Sequence, residues 1–289
     1  MLQYLGKRIF HSILSLIGLV VLVFFLVLLT GDPAILYLPL DSGPEVRQEF
    51  AERHGFNDPV IVQFGHFVRD MVHLDFGQSL RQSQPALNVV LAAFPTTLKL
   101  AGITMAIALA ISILTGSLAA WRPGGIFDQT ASTLSLLGAS APNFWTAIVG
   151  ILVFAVALGI LPTSGMGGPR YWVLPVAVLL LRPVGVITQV VRGSMISALS
   201  SAYVKTARAK GVATRRVIFV PALRNAMLPV ITVAGDQAAS IINGAVIVET
   251  IFGFAGVGNL LIDSLTYRDF AVLQVCVLFT AIAVFLLNI

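Results

Sequence analysis

The side chains that could support chemistry are few, and many of them are cations gathered in one short segment. Residues 203–229 read YVKTARAKGVATRRVIFVPALRNAMLP and hold six of the 18 Lys and Arg residues of the chain. This segment contains no acid, no histidine and no cysteine, so it has no acid–base pair and no metal-ligand set. The chemistry that it can offer is attraction to carboxylates or phosphates on a partner or on anionic lipid.

The rest of the chain adds no catalytic set. No Ser/His/Asp triad, paired carboxylates or metal cluster can be recognised. The single cysteine, Cys276, excludes an intrachain disulfide framework and a Cys-based zinc site. The pair Gly6–Lys7 is followed by Arg8 and lacks the upstream glycine of a phosphate-binding loop. We therefore expect a protein that is not an enzyme and that binds no metal or cofactor itself.

Composition indicates a polytopic membrane protein. The 289 residues are 57% hydrophobic and 11% charged, with a mean hydropathy of +0.93, far from ordinary soluble domains. Apolar runs of about 20 residues predict six membrane-spanning helices in an all-α fold. The predicted spans are 9–29, 98–120, 129–158, 172–191, 230–249 and 270–289, with candidate bends at Pro142, Pro175, Pro183 and Gly185.

The predicted organisation has three parts. Residues 1–29 form a retained N-terminal helix, since the run is too long for a signal peptide and lacks a small-x-small cleavage site. Residues 30–95 form an extracytoplasmic region, in which apolar residues between Val60 and Val72 recur at helical spacing and predict an amphipathic helix. Residues 96–289 hold the remaining five spans. The chain stops inside the sixth span, so we expect the natural protein to continue beyond Ile289.

Charge placement predicts a cytoplasmic N-terminus. With that orientation the cytoplasmic segments are 1–8, 121–128 and 192–229, which are rich in Lys and Arg and contain Asp128 as their only acid. The outer segments carry most of the acids, as the positive-inside rule requires. The basic pI therefore reports topology, and nucleic acid is not an expected partner.

The longest cytoplasmic loop, 192–229, is predicted to form two short amphipathic helices. One continues from Met195 to Gly211, and a second begins at Thr214 and ends at Pro229. Such a helical pair could anchor the chain on anionic lipid or dock on a protein. Small residues, cations and the turning glycine favour docking.

Three polar residues inside the predicted spans form a candidate translocation path: Arg182, Asp236 and Asn243. A lone charge in the bilayer must face protein or water. Arg182 and Asp236 could line a path, pair across it, or serve a structural role. Glu249 is interpreted as a helix-end or interface residue.

The cytoplasmic loop resembles the coupling loop of the dipeptide, oligopeptide and nickel permeases of binding-protein-dependent ABC importers. Further similar motifs are Gly31-Asp32-Pro33, residues 74–79, residues 161–165 and residues 248–258. Thr206 replaces the glutamate of the general importer motif, as in the peptide subfamily, and Pro221 is an unusual residue that could bend the second helix. The matching loop residues are Tyr203, Val204, Thr206, Ala207, Arg208, Ala209, Lys210 and Gly211, then Ala222, Leu223, Arg224, Asn225, Ala226, Leu228 and Pro229.

The resemblance implies a type I ABC importer permease fold in the bacterial inner membrane. It implies alternating-access transport of di- or oligopeptides, a related peptide-like solute or nickel. Expected partners are a second related permease, two cytoplasmic ATPase subunits that bind ATP and Mg, an extracytoplasmic solute-binding protein and membrane lipid. The coupling residues would be Tyr203, Thr206, Ala207, Arg208, Ala209, Lys210, Gly211, Arg224 and Asn225. An ion-coupled secondary transporter and a non-transporting assembly subunit are the alternatives.

Overall fold

The computed structural model describes residues 2–29, 38, 42–53, 58–79 and 81–288. This part of the chain is helical and contains no β-strand, in agreement with the all-α prediction. The motif at Gly31-Asp32-Pro33 lies outside the described residues. The helices are α1 (Leu2–Leu29), α2 (Pro44–Arg53), α3 (Val60–Val72), α4 (Ala86–Trp121), α5 (Ile126–Ser140), α6 (Asn143–Gly150), α7 (Pro169–Ser200), α8 (Ala202–Ala209), α9 (Thr214–Val217), α10 (Leu223–Phe252), α11 (Val257–Thr266) and α12 (Phe270–Asn288).

The number of spans agrees with the sequence if one bent pair is counted as a span. Among the described residues, five helices are long and apolar enough to cross a bilayer, in α1, α4, α7, α10 and α12. The remaining span, predicted as one run over 129–158, is instead a bent pair of helical segments. The first is α5, the second is α6 with its extension to Ala157, and the angle between them is 103°. The break falls at Ala141, whose ψ of 125° is extended, because a residue before proline is disfavoured in the α region.

Two helix ends differ from the prediction. The helix expected from Met195 to Gly211 is interrupted at Ser201, where ψ is 157°, so α7 runs to Ser200 and α8 is separate. The expected end at Pro229 is wrong, because α10 continues through this proline to Phe252. A proline removes one backbone donor, and in a long apolar helix the remaining hydrogen bonds and packing keep the element intact.

Irregular π-helical turns occur at two places. One follows α6 over Ile151–Ala157, and the other joins α9 to α10 over Ile218–Ala222 and contains Pro221. A π turn lengthens the hydrogen-bonding loop and is a rare, local feature of α-helices. Pro221, at which the sequence predicted a possible bend, lies within a π-helical turn.

The chain divides into two compact units, and the first comprises residues 1–96 and 255–287. In it, α1 and the amphipathic α3 meet through Phe24, whose ring centroid lies 5.2 Å from that of Phe64 and 5.5 Å from that of Phe67. The hydroxyl of Ser79 donates to the buried carboxylate of Asp269 at 2.5 Å. The helix predicted over 60–72 is thus present, and one side of it packs on α1.

The second unit comprises residues 97–254 and is built around α7. Helices α5 and α10 pack along α7, and small residues allow close approach. A Cβ added at Gly185 would overlap the carbonyl oxygen of Ser135 and would lie 2.8 Å from the backbone nitrogen of Ala139. The backbones of α5 and α7 therefore approach closely at Gly185, as is typical of membrane helix pairs that pack through glycine.

Near the end of α10, the second unit contains a fully buried acid. The side chain of Glu249 is 0% exposed, and the hydroxyl of Thr97 donates to its Oε1 at 2.7 Å. The interpretation of Glu249 as a helix-end residue is confirmed, since α10 ends three residues later at Phe252.

Candidate functional site

The basic segment 202–229 rests on the C-terminal part of α7 through an apolar face. Val204 in α8 and Val217 in α9 are fully buried, and they belong to one core cluster with Val191 and Met195 of α7. Burying a Val side chain contributes roughly 1.5–3 kcal/mol relative to leaving it exposed. The segment is therefore anchored by hydrophobic packing, which leaves its polar face free.

The polar face of this segment carries most of the predicted coupling residues. In α8, the Thr206 hydroxyl donates to the Ala202 carbonyl oxygen at 3.1 Å, which satisfies it locally. Arg208 and the half-buried Ala207 also lie in α8. The exposed residues of the segment include Tyr203, Lys205, Thr206, Ala209, Lys210, Gly211, Arg216, Arg224 and Asn225.

Gly211 forms the turn between α8 and α9. Its φ is +76°, in the left-handed region that side chains with a Cβ rarely adopt. An added Cβ would meet no atom within 4 Å, so the backbone conformation and not the available space requires glycine in this chain. The turn is closed by the backbone N–H of Val212, which donates to the Ala207 carbonyl oxygen at 3.2 Å.

Within the basic segment, the π-helical turn at Ile218–Ala222 joins α9 to α10 without a loop. Because Pro221 has no N–H, it cannot donate to a carbonyl in the preceding turn. The Asn225 amide donates to the Pro221 carbonyl oxygen at 3.0 Å and supports the helix at this point. Among the predicted coupling residues, Arg224 and Asn225 thus lie on α10 itself, next to the turn.

An ion pair joins α5 to α7 beside this region. The Arg192 guanidinium makes two hydrogen bonds to the Asp128 carboxylate, one of them at 2.7 Å between Nη2 and Oδ2. Asp128 is only 2% exposed and also accepts the backbone N–H of Gly124 at 2.8 Å. Sequence reasoning missed this pair, although Asp128 was the only acid in the predicted cytoplasmic segments.

A polar face runs along α10. At 100° per residue, the positions 225, 229, 232, 236, 240, 243, 247 and 250 fall within an arc of about 80°. All of these positions are polar except Pro229 and Ile247, and all are exposed or half-buried. We call the set Thr232, Asp236, Ser240 and Asn243 the polar face of α10.

The predicted path residues are only partly brought together. Asp236 and Asn243 share the polar face of α10, whereas Arg182 lies exposed on α7. Within the described residues, no ion pair joins Arg182 to Asp236 or to another acid. The pairing of Arg182 with Asp236 that the sequence allowed is absent from the described part of this chain. Asp236 instead accepts a hydrogen bond of 3.2 Å from the Gln237 amide.

Two family models of transport proteins match the sequence of this chain. A family described as "Binding-protein-dependent transport system inner membrane component" matches residues 112–289. The corresponding N-terminal family, "Binding-prot-dependent transport system membrane comp, N-term", matches residues 1–101. Together, these matches cover both ends of the chain and the whole segment 202–229.

Individual relatives match over nearly their whole length. The "Di/tripeptide transport system permease protein DppB" of Pseudomonas aeruginosa is 34% identical over 100% of this chain and 95% of its own length. The "Oligopeptide transport system permease protein AppB" of Bacillus subtilis is 36% identical over 98% and 94%. A solved amino acid ABC transporter chain, at 18% identity and a TM-score of 0.50, covers 70% of this chain and 93% of its own, and shows similarity of fold.

Proposed function

Because the chain belongs to the family of binding-protein-dependent transport system inner membrane components, we propose that it is the permease subunit of an ATP-driven importer of di- or oligopeptides. Relatives that match over their full length are named as di/tripeptide and oligopeptide permeases. Related peptide-like solutes and nickel belong to the same proposal. The chain acts in the inner membrane of a bacterium.

The observation that carries this proposal is the anchored basic segment. Its apolar face is buried on α7 while its polar and basic face is exposed. A helical pair held in this way presents a rigid surface to a cytoplasmic partner, which we propose is an ATPase subunit. The coupling residues are Tyr203, Thr206, Ala207, Arg208, Ala209, Lys210, Gly211, Arg224 and Asn225.

Hydrolysis is assigned to the partner, which holds ATP and Mg, and this chain converts the partner's closure into movement of its spans. The π-helical turn continues directly into α10, so displacement of the segment is transmitted by helical backbone. A ligand shifts the equilibrium between two conformations of a protein when rigid elements have a different arrangement in each conformation. Alternating access to a path is the expected result.

The proposed assembly contains a second related permease, two ATPase subunits and an extracytoplasmic solute-binding protein. The candidate path residues of this chain are Arg182, Asp236 and Asn243. Each has an exposed side chain within an apolar helix, where lipid contact would be unfavourable for a charge.

The proposal is tested by peptide-stimulated ATP hydrolysis and peptide uptake of the reconstituted complex. We expect Gly211→Val to abolish both while the complex still assembles, because valine strains a backbone with φ of +76°. Gly211→Asn is the matched control, since asparagine tolerates the left-handed conformation, and it should retain much of the activity. Wild-type uptake by the valine variant would remove the segment from the coupling mechanism.

A further inference from the structure

The polar face of α10 carries a single charge, the carboxylate of Asp236. Within the described residues no basic side chain pairs with it, and the neutral amide of Gln237 donates a hydrogen bond to it. Asp236 is exposed near the middle of a helix that is apolar enough to span a bilayer. An ionised carboxylate there needs water, a protein partner or a passing cation.

The neighbours of Asp236 on this helix face are neutral and polar. Thr232 and Ser240 lie one turn to either side, and Asn243 continues the face by another turn. These are neutral side chains that water and polar solutes can hydrogen-bond. The same arc also contains the exposed Ile247, whereas Ile231, which is 62% exposed, lies about 140° away from Asp236 around the helix axis.

We propose that the polar face of α10 lines an aqueous passage in which Asp236 attracts and holds the ammonium group of a peptide in transit. This inference rests on the proposed peptide-permease function. The ammonium group is the free amino terminus, which is largely protonated near neutral pH. An ammonium–carboxylate contact is a charge-assisted hydrogen bond, stronger than the neutral contacts that Thr232 and Asn243 can make.

A metal ion fits this site less well than an ammonium group. No group of three His, Cys, Asp or Glu side chains that could hold a metal ion occurs in the described part of the chain. A divalent cation held by protein alone takes about six or more oxygen ligands, among which carboxylates are prominent. One carboxylate with neutral neighbours suits a monovalent, hydrogen-bonding cation that must leave again.

The local charge can be measured without relying on uptake. Ser240→Cys places a thiol one turn from Asp236, and the native Cys276 is fully buried, so reagents select the introduced thiol. The complete reconstituted complex is treated with a cationic and an anionic methanethiosulfonate of similar size, with and without Asp236→Asn. Ile231→Cys serves as the control position outside the polar face.

We expect Ser240→Cys to react with both reagents. The ratio of cationic to anionic rates should fall about tenfold when Asp236 is neutralised, from the Coulomb interaction over roughly 6 Å in water. Ile231→Cys should react slowly with both reagents. Dialanine with its binding protein and ATP should slow the cationic reaction at Ser240→Cys, and Asp236→Asn should remove this protection.

Two results would overturn the inference. An unchanged rate ratio would mean that a cation of another subunit already neutralises Asp236. No reaction at Ser240→Cys with either reagent would mean that the face is buried against a partner. Both results leave the permease proposal standing if the complex imports peptides, whereas absence of uptake by the wild-type complex removes that proposal independently.

Discussion

The packing of α5 against α7 yields a quantitative prediction at Gly185. An alanine there places its Cβ on the Ser135 carbonyl oxygen and 2.8 Å from the Ala139 nitrogen, and both are backbone atoms of a rigid helix. The helices must separate or shift, as in other overpacked sites that lose about 1–3 kcal/mol. Alanine has a better helix propensity than glycine by about 1 kcal/mol, which offsets only part of an overlap of this size.

The same helix provides a matched control. At Gly193 an added Cβ would meet no atom within 4 Å, so Gly193→Ala gains helix propensity without a clash. We expect Gly185→Ala to lower the melting temperature of the purified protein in detergent by a few degrees or more, at roughly 2–4 °C per kcal/mol for a chain of this size. Gly193→Ala should leave it unchanged or raise it slightly. Equal melting temperatures for the two variants would refute the close approach of α5 and α7.

Two further pairs of substitutions probe buried polar contacts in the second unit. Arg192→Ala should destabilise the protein by about 3–5 kcal/mol, because it leaves the Asp128 carboxylate buried without its cation. Asp128→Asn should cost less, since the Arg192 side chain that loses its partner is 28% exposed. Thermal melts that reverse this order would contradict the burial of Asp128 in this ion pair. Thr97→Val should cost about 1–3 kcal/mol because it removes the hydroxyl donor to the buried Glu249 carboxylate. Thr97→Ser keeps the hydroxyl and should melt near wild type, so equal losses from both variants would assign the effect to packing.

Much of the fold was predictable because hydropathy and length dominate the folding of apolar segments. Five spans and the amphipathic helix over 60–72 follow from composition and from helical spacing. The sequence also identified Pro142 as a candidate bend, but nothing local predicts that the break there reaches 103°. Such an angle depends on the packing of α5 and α6 on their neighbours, which sequence periodicity does not contain.

The candidate site was predictable in its residue types and less so in its geometry. The turn at Gly211 and the exposure of Lys205, Lys210, Arg216 and Arg224 agree with the pattern. The interruption at Ser201 was missed because serine is tolerated both within helices and at their ends. The Asp128–Arg192 pair joins residues 64 positions apart, a separation at which charge counting can suggest a partner but cannot select one.

The absence of a loop between the π-helical turn and α10 has a mechanical consequence. Helix α10 has 30 residues, which corresponds to a length of about 45 Å. If such a rod pivots at Pro221, a tilt of about 10° moves its far end, at Phe252, by about 8 Å. The part of the basic segment before the pivot, residues 202–217, is then the short arm of a lever whose long arm carries Asp236 and Asn243. Under the proposed coupling, small displacements of the basic segment would be enlarged along α10, so the stiffness of this helix determines how much motion reaches Phe252.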